Sequence, residues 1–318
     1  MLKDIFLQSN EFATFLKSLK HSSASHSYLI VSKDAFSANE MASLFAQAIL
    51  CEKMCGECEN CKKVEAGSHP DIKFYPEGAK LLVDDSKKIV EESFIKPIFA
   101  DKKIFIITSV DLSTEEAQNK LLKSLEEPND CVYYILTTSN IEKVLPTIRS
   151  RCNKIELPPV CEEQILPLLS GDEQTKLLAA RLGGGYISKS IQLSKKENLK
   201  DIALLGLGIL GKLASSREAI KYVKRIVDIK SDILTMIEVM NLAIEDALIL
   251  KTQKNGKISL DMFCDKISIM ANDLSIKCLS NLCLTLNKAV RDLSFNVNLP
   301  LVADNLVMNI LEVKYLCK

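Results

Sequence analysis

The stretch from Lys103 to Leu157 constrains the fold more than any other part of the chain. It opens on Ile104-Phe105-Ile106-Ile107, an apolar run too short for a helix and bounded by polar residues, which reads as a buried strand. Ser113 and Glu116 have the S-x-x-E spacing of a capping box and predict a helix N-terminus. The helix that follows carries Ala117, Leu121, Leu122 and Leu125 on one face, and Pro128 stops it. Cys131 to Thr138 is a second strand. Pro146 suits the first turn of a short helix, Thr147 to Arg149, which delivers Ser150-Arg151-Cys152. Further strands are predicted at Ser27 to Val31, Ile72 to Tyr75 and around Ile155. Helices are predicted over Ile5 to Leu19, Ala38 to Leu50 and Asp84 to Lys96, the last with Ile89, Val90 and Phe94 facing inward and Pro97 as its stop. Strands separated by helices predict a parallel sheet covered on both faces.

The residues are more specific than the pattern. "LLKSLEEPNDCVYYILTT" followed by "LPTIRSRC" resembles the clamp-loader branch of the AAA+ family, tightly from Gly67 to Cys152 and loosely in the C-terminal third. The resemblance implies an AAA+-type α/β domain over residues 1–158 with a zinc-binding insert at 51–61. A small helical lid over 159–200 and an all-α collar over 201–318, where subunits join in a ring, would follow. It also implies that Arg151 acts in trans on the ATP of a neighbouring subunit, with Ser150 and Cys152 shaping the loop. Arginine suits that task, because its planar, permanently charged fork can bind phosphate oxygens in a bidentate way. In GTPase systems an arginine supplied in trans is worth roughly 10³ to 10⁵ in rate. On residue type alone, Arg149 and Arg151 read better as solvated charges at a helix end; the flanking motif reverses that choice.

The chain's own nucleotide site looks degraded. Walker A, G-x-x-x-x-G-K-[ST], needs glycines so that backbone N–H groups can wrap phosphates. The matching positions here are Lys33, Ala38, Asn39 and Glu40, and no glycine precedes Gly56. After Ile107, where an Asp-Glu pair would hold magnesium, stand Thr108 and Ser109, and Asp111 comes two residues late. Gly183 to Lys189 resembles the lid segment that presents a phosphate-sensing arginine, and Ser188 takes its place. Without a nucleotide in cis, Thr137 and Thr138 at the end of their strand are given no active role. The resemblance then implies a non-hydrolysing member of a five-subunit ring within a DNA polymerase III assembly. Its partners would be gamma or tau ATPase subunits and a clamp-opening delta subunit, and the ring would load a sliding clamp on primed DNA. The rival readings are an ATPase of the gamma/tau type and a zinc-dependent DNA-binding regulator.

Cys51, Cys55, Cys58 and Cys61 are spaced C-x₃-C-x₂-C-x₂-C. Four thiolates so close in sequence can close a tetrahedral structural zinc site with no open position. The ferredoxin run C-x₂-C-x₂-C-x₃-C-P places its wide gap last and follows it with proline; here the wide gap comes first, Lys62 follows the last cysteine, and no second cluster motif appears. Zinc is therefore preferred over iron–sulfur and over free thiols. His69 could replace one ligand, but its segment also matches the family after the insert, where it is structural. His26, at the end of the polar link His21 to His26, likewise reads as structural.

Formal net charge is zero over 318 residues, so no global field draws the chain to nucleic acid or membrane. Around the cysteines, Lys53, Lys62 and Lys63 are balanced by Glu52, Glu57, Glu59 and Glu65. The longest apolar run, Ile202 to Leu210, is broken by Gly206 and Gly208 and falls short of the roughly 18 to 20 residues a bilayer needs. Eleven cysteines without a signal-peptide apolar core predict a reducing compartment, the cytoplasm. Pro158-Pro159 mark a domain boundary, and helices dominate from Asp201 onward with a break over 251–256. Ile276, Leu279, Cys283, Leu286, Val290 and Leu293 form a seam that suits either the chain's own bundle or a subunit contact. Asn296-Val297-Asn298 with Leu301, Asp304 and Leu306 resembles the end of the collar.

Overall fold

The computed structural model describes residues 2–20, 25–253, 256, 258–295 and 297–317. His21 to Ala24 of the polar link, Lys254 and Asn255 of the expected helix break, and Asn296 lie outside the described residues. The chain divides into two compact units, Met1–Gln164 with Tyr186–Lys189, and Ile165–Gly185 with Ser190–Lys318.

The first unit runs α1 (Leu2–Leu7), α2 (Asn10–Lys20), β1 (Ser27–Val31), α3 (Ala35–Leu50), α4 (Glu59–Glu65), β2 (Ile72–Tyr75), α5 (Val83–Ser93), β3 (Lys103–Ile107), α6 (Glu115–Glu126), β4 (Val132–Thr138), α7 (Pro146–Arg149) and β5 (Asn153–Glu156). The strands form one sheet in the order β2-β3-β4-β1-β5. Every pairing is parallel, with Leu29 opposite Leu136 and Ile104 opposite Tyr133. Period-2 alternation sends Leu29, Phe105, Ile107, Val132, Tyr134 and Leu136 to one face, where they meet Ile89 of α5, Leu121 and Leu125 of α6 and Ile148 of α7. The opposite face carries Tyr28, whose ring meets Phe15 of α2 and Phe45 of α3 edge-on, and Phe15 stacks on Phe45. This is the expected parallel sheet with two covered faces. Because all strands point the same way, the ends of β1, β3 and β4 lie along one edge, where folds of this class place ligands.

Several boundaries differ from the sequence expectation for local reasons. The single helix expected over Ile5 to Leu19 is two, because the Ser9 hydroxyl donates to the Phe6 carbonyl and accepts the Phe12 N–H, capping α2. Thr114, not Ser113, caps α6 by accepting from Ala117, while Ser113 turns back to the Val110 carbonyl. Helix α3 begins at Ala35 rather than Ala38. Helix α5 stops at Ser93, well before Pro97, because Asn129 takes the Ser93 carbonyl and Lys103 takes those of Glu92 and Ile95. Phe94 is consequently 70% exposed instead of inward-facing.

Helix α8 (Glu162–Ile165) lies where the two units divide in sequence. Then come α9 (Glu173–Gly183), α10 (Ile187–Ser194), α11 (Leu199–Lys212), α12 (Ser216–Ile229), α13 (Ile233–Thr252), α14 (Cys264–Asp273), α15 (Ile276–Ser294) and α16 (Leu299–Leu316). The first residues of α10, through Lys189, count with the first unit. Helix α13 is the axis of the second unit and packs on α11, α14 and α15. Gly206 of α11 lets that helix close on α13: a Cβ there would stand 2.9 Å from Met240 Cγ. On α15 the buried residues are Cys278, Leu279, Leu282, Leu286 and Ala289, packed against α13 and α16. Ile276 and Val290 of the expected seam are exposed, so the buried stripe is a bundle face of this unit, rotated from that seam.

Candidate functional site

Arg151 sits on a corner built by its neighbours. Pro146 opens α7, Ile148 is fully buried beneath it, and Cys152 is buried in the same core. Burial pushes the Cys152 thiol up to about 12, so it behaves as a small apolar anchor. With both sides of the turn pinned, Arg151 has to project. Its Nη1 donates to the Thr147 carbonyl at 2.9 Å and the Ser150 hydroxyl at 3.3 Å, and its Nη2 lies 2.5 Å from Glu126 Oε1 at the end of α6. The Arg151 and Glu126 side chains are 33% and 45% exposed, so water screens the pair and its net worth is on the order of 0–1 kcal/mol. The guanidinium is thus oriented by weak holds and remains open to solvent. Arg149 lies 3.7 Å from Glu142. Glu126 was missed from sequence because nothing in local spacing links it to Arg151.

At the C-terminal end of β1, the connection to α3 is only Ser32, Lys33 and Asp34. Residues that would wrap phosphates in a Walker A loop are already helical, and the Ala38 N–H is spent on the Asp34 carbonyl. Lys33 is exposed, whereas Asp34 is buried, and its carboxylate accepts from Ser37 Oγ at 2.7 Å, from Ser188 N–H at 3.3 Å and from the Ser188 hydroxyl. Asn39, in the place of the Walker lysine, accepts through Oδ1 from Thr137. Thr137 Oγ1 in turn accepts the N–H of Ser109, a residue in the left-handed region at φ 51°. Asp111 is buried and closed by Thr138 Oγ1 at 2.9 Å and by the N–H and hydroxyl of Ser139. Thr137 and Thr138 therefore bind the loops together.

Cys51, Cys55, Cys58 and Cys61 converge, their sulfurs all within 4.8 Å of one another and the Cys51 and Cys55 sulfurs 3.8 Å apart. Four sulfurs about 2.3 Å from a zinc would stand roughly 3.8 Å apart in a tetrahedron. The Cys58 N–H donates to Cys55 Sγ and the Cys61 N–H to Cys58 Sγ. N–H donors from Cys58 and Glu57 bring the Cys55 thiol down to about 6, while burial pushes Cys61 up to about 11. The donor set fits a metal such as zinc. His69 is not in the cluster: Nδ1 accepts the Asp71 N–H and Nε2 faces Asn60 Oδ1, which fixes a neutral tautomer whose protonation burial disfavours. His26 bonds the Val132 carbonyl and stacks on Tyr133, a structural place. Asp71, missed from sequence, is fully buried and accepts from Ile98, Phe99 and Ala100. Burial raises its pKa, but those three donors outweigh burial and hold the carboxyl below the usual range. Among the described residues, no helix is long and apolar enough to cross a membrane.

Residues 7–161 match the family model "DNA polymerase III, delta subunit". The chain is 28% identical over 202 residues to DNA polymerase III subunit delta' of Bacillus subtilis, covering 61% of each chain. Against subunit delta' of Escherichia coli it is 30% identical over 200 residues, 59% of this chain and 60% of that one. Against subunit tau/gamma of Haemophilus influenzae it is 30% identical over 167 residues, 51% of this chain and 24% of that one. The chain thus spans about three fifths or less of the length of these relatives.

Proposed function

We propose that this chain is a clamp-loader subunit of DNA polymerase III, of the delta-prime type, that hydrolyses no ATP itself. In this reading Arg151 completes the ATP site of an adjacent gamma/tau subunit, with Ser150 and Cys152 shaping its corner. Residues 159–200 supply the lid and 201–318 the collar, and a delta subunit completes the ring in the cytoplasm. The assembled ring loads the sliding clamp on primed DNA. The observation that supports the reading is an asymmetry: after β1 the chain enters α3 at Ala35 with Asp34 turned inward onto Ser37 and Ser188, while the Arg151 guanidinium is partly open to solvent.

Chemically, Arg151 does one thing: it offers N–H donors and a fixed positive charge to a phosphoryl group whose charge grows in the transition state. Glu126 and the Thr147 carbonyl hold the guanidinium near its working direction, and the screened ion pair can be exchanged for phosphate at small cost. Cys51, Cys55, Cys58 and Cys61 would hold a zinc ion with no open position, and its part would be to hold the Cys51–Cys61 insert together. Metal analysis of the purified chain is expected to give one zinc per chain, with loss of hydrogen-exchange protection across 51–66 on chelation; a metal-free, equally protected chain would sink this part.

The test of the main reading is ATP turnover by a reconstituted loader, stimulated by clamp and primed DNA, with Arg151→Ala against wild type. The expected outcome is normal assembly with turnover at least tenfold lower, a loss of about 1.4 kcal/mol of transition-state stabilisation. Unchanged turnover with intact assembly would leave Arg151 a surface charge. The similarity to tau/gamma subunits favours a second reading, a working ATPase. Saturable binding of magnesium-ATP by the isolated chain would decide for it.

A further inference from the structure

We propose that Asp34 is a built-in anion that bridges two helix N-termini and thereby locks the Tyr186–Lys189 segment onto α3 without any nucleotide. The argument does not rest on the role assigned to Arg151. Asp34 stands at the N-cap of α3, where an acidic or hydroxyl side chain ordinarily accepts a backbone N–H of the first turn. Its side chain makes no such bond. Instead the carboxylate takes the Ser37 hydroxyl through Oδ2 and turns to Ser188, 154 residues away in sequence. There it accepts the Ser188 N–H through Oδ2 and the Ser188 hydroxyl through Oδ1.

Ser188 lies in the first turn of α10, so its N–H is one of the donors that a helix start leaves without an intrahelical partner. One carboxylate therefore faces the positive ends of both α3 and α10. Asp34 is only 3% exposed, which removes the screening that would weaken such a contact at the surface. Its own N–H is held by Ser32 Oγ at 3.1 Å, so the donor loop is fixed from both sides. A bound phosphate could make the same bridge elsewhere in this fold class; here a side chain of the protein makes it. The segment Tyr186–Lys189 clusters with the first unit although the residues on either side of it, through Gly185 and from Ser190, do not, as a local lock requires.

The experiment is hydrogen exchange on the purified 318-residue chain, with Asp34→Ser, Ser188→Ala and the double variant. Serine is a good N-cap, so Asp34→Ser keeps the start of α3 while removing the charge and the reach to Ser188. Each single variant is expected to speed exchange of the amides of 186–189 at least tenfold, with the double variant within about twofold of the faster single one. The amides of β3 and β4 should exchange as in wild type. Unchanged exchange at 186–189 in Asp34→Ser overturns the proposal, and so do single effects that multiply in the double variant. Faster exchange spread evenly over the first unit overturns it too, because Asp34 would then be an ordinary stability residue; Ser188→Ala carries the same test should Asp34→Ser fold poorly.

Discussion

The connection Ser32–Asp34 and the corner Ser150–Cys152 are both short turns of the first unit, and they treat charge in opposite ways. At the first, Asp34 faces inward and is satisfied by Ser37 and Ser188. Asp71 and Asp111 follow the same pattern, each closed by donors from its own chain. At the second, Ile148 and Cys152 are buried while Arg151 is partly exposed, and its carboxylate partner Glu126 is about half in water. A buried charge closed by internal donors builds structure, because desolvation makes any other state costly. A charge left in water on a rigid mount is available to something else.

The comparison can be broken most forcefully at the mount. Ile148→Ala is expected to lower unfolding free energy by about 2–5 kcal/mol in urea denaturation, because it leaves a cavity under the corner; a change below about 1 kcal/mol would mean the corner is not held by its core. Asp71→Asn comes next, with an expected cost of roughly 1.5–3 kcal/mol from weakened charge-assisted bonds to Ile98, Phe99 and Ala100. The sign of its pH dependence follows from a carboxyl held below its unfolded pKa. The Asp71 contribution is present above about pH 4 and is lost as pH falls through the folded pKa, because the unfolded state then binds more protons. Asp71→Asn should therefore flatten the acid limb of the stability curve, and an equally steep limb in the variant would count against it. Smallest is Glu126→Gln: stability within about 1 kcal/mol of wild type and loader turnover within about threefold, since the pair is screened. A tenfold change in turnover would make Glu126 a much stronger positioning residue than its exposure suggests.

The strands were legible because apolar runs too short for a helix, set between stretches of helical spacing, have few alternatives. The cysteine cluster was legible from spacing, and the convergence of its four sulfurs agrees. Helix ends were read less well. Ser113 and Thr114 are adjacent and chemically alike, and which one caps α6 depends on the turn that precedes it. The stop of α5 at Ser93 depends on Asn129 and Lys103, which reach it from elsewhere in the chain.

By itself, then, the order of residues determined what is local: short apolar strands and helical spacings, the thiol cluster, and a short helix that delivers Ser150-Arg151-Cys152. Tertiary structure alone decided which side chains meet across long stretches of sequence. It placed Asp34 on Ser188, Glu126 on Arg151 and Asp71 on the loop after α5, and it chose the face that α15 buries. The physical reason is that a hydrogen bond or ion pair depends on where atoms come to lie, and for residues distant in sequence only the folded chain sets that distance.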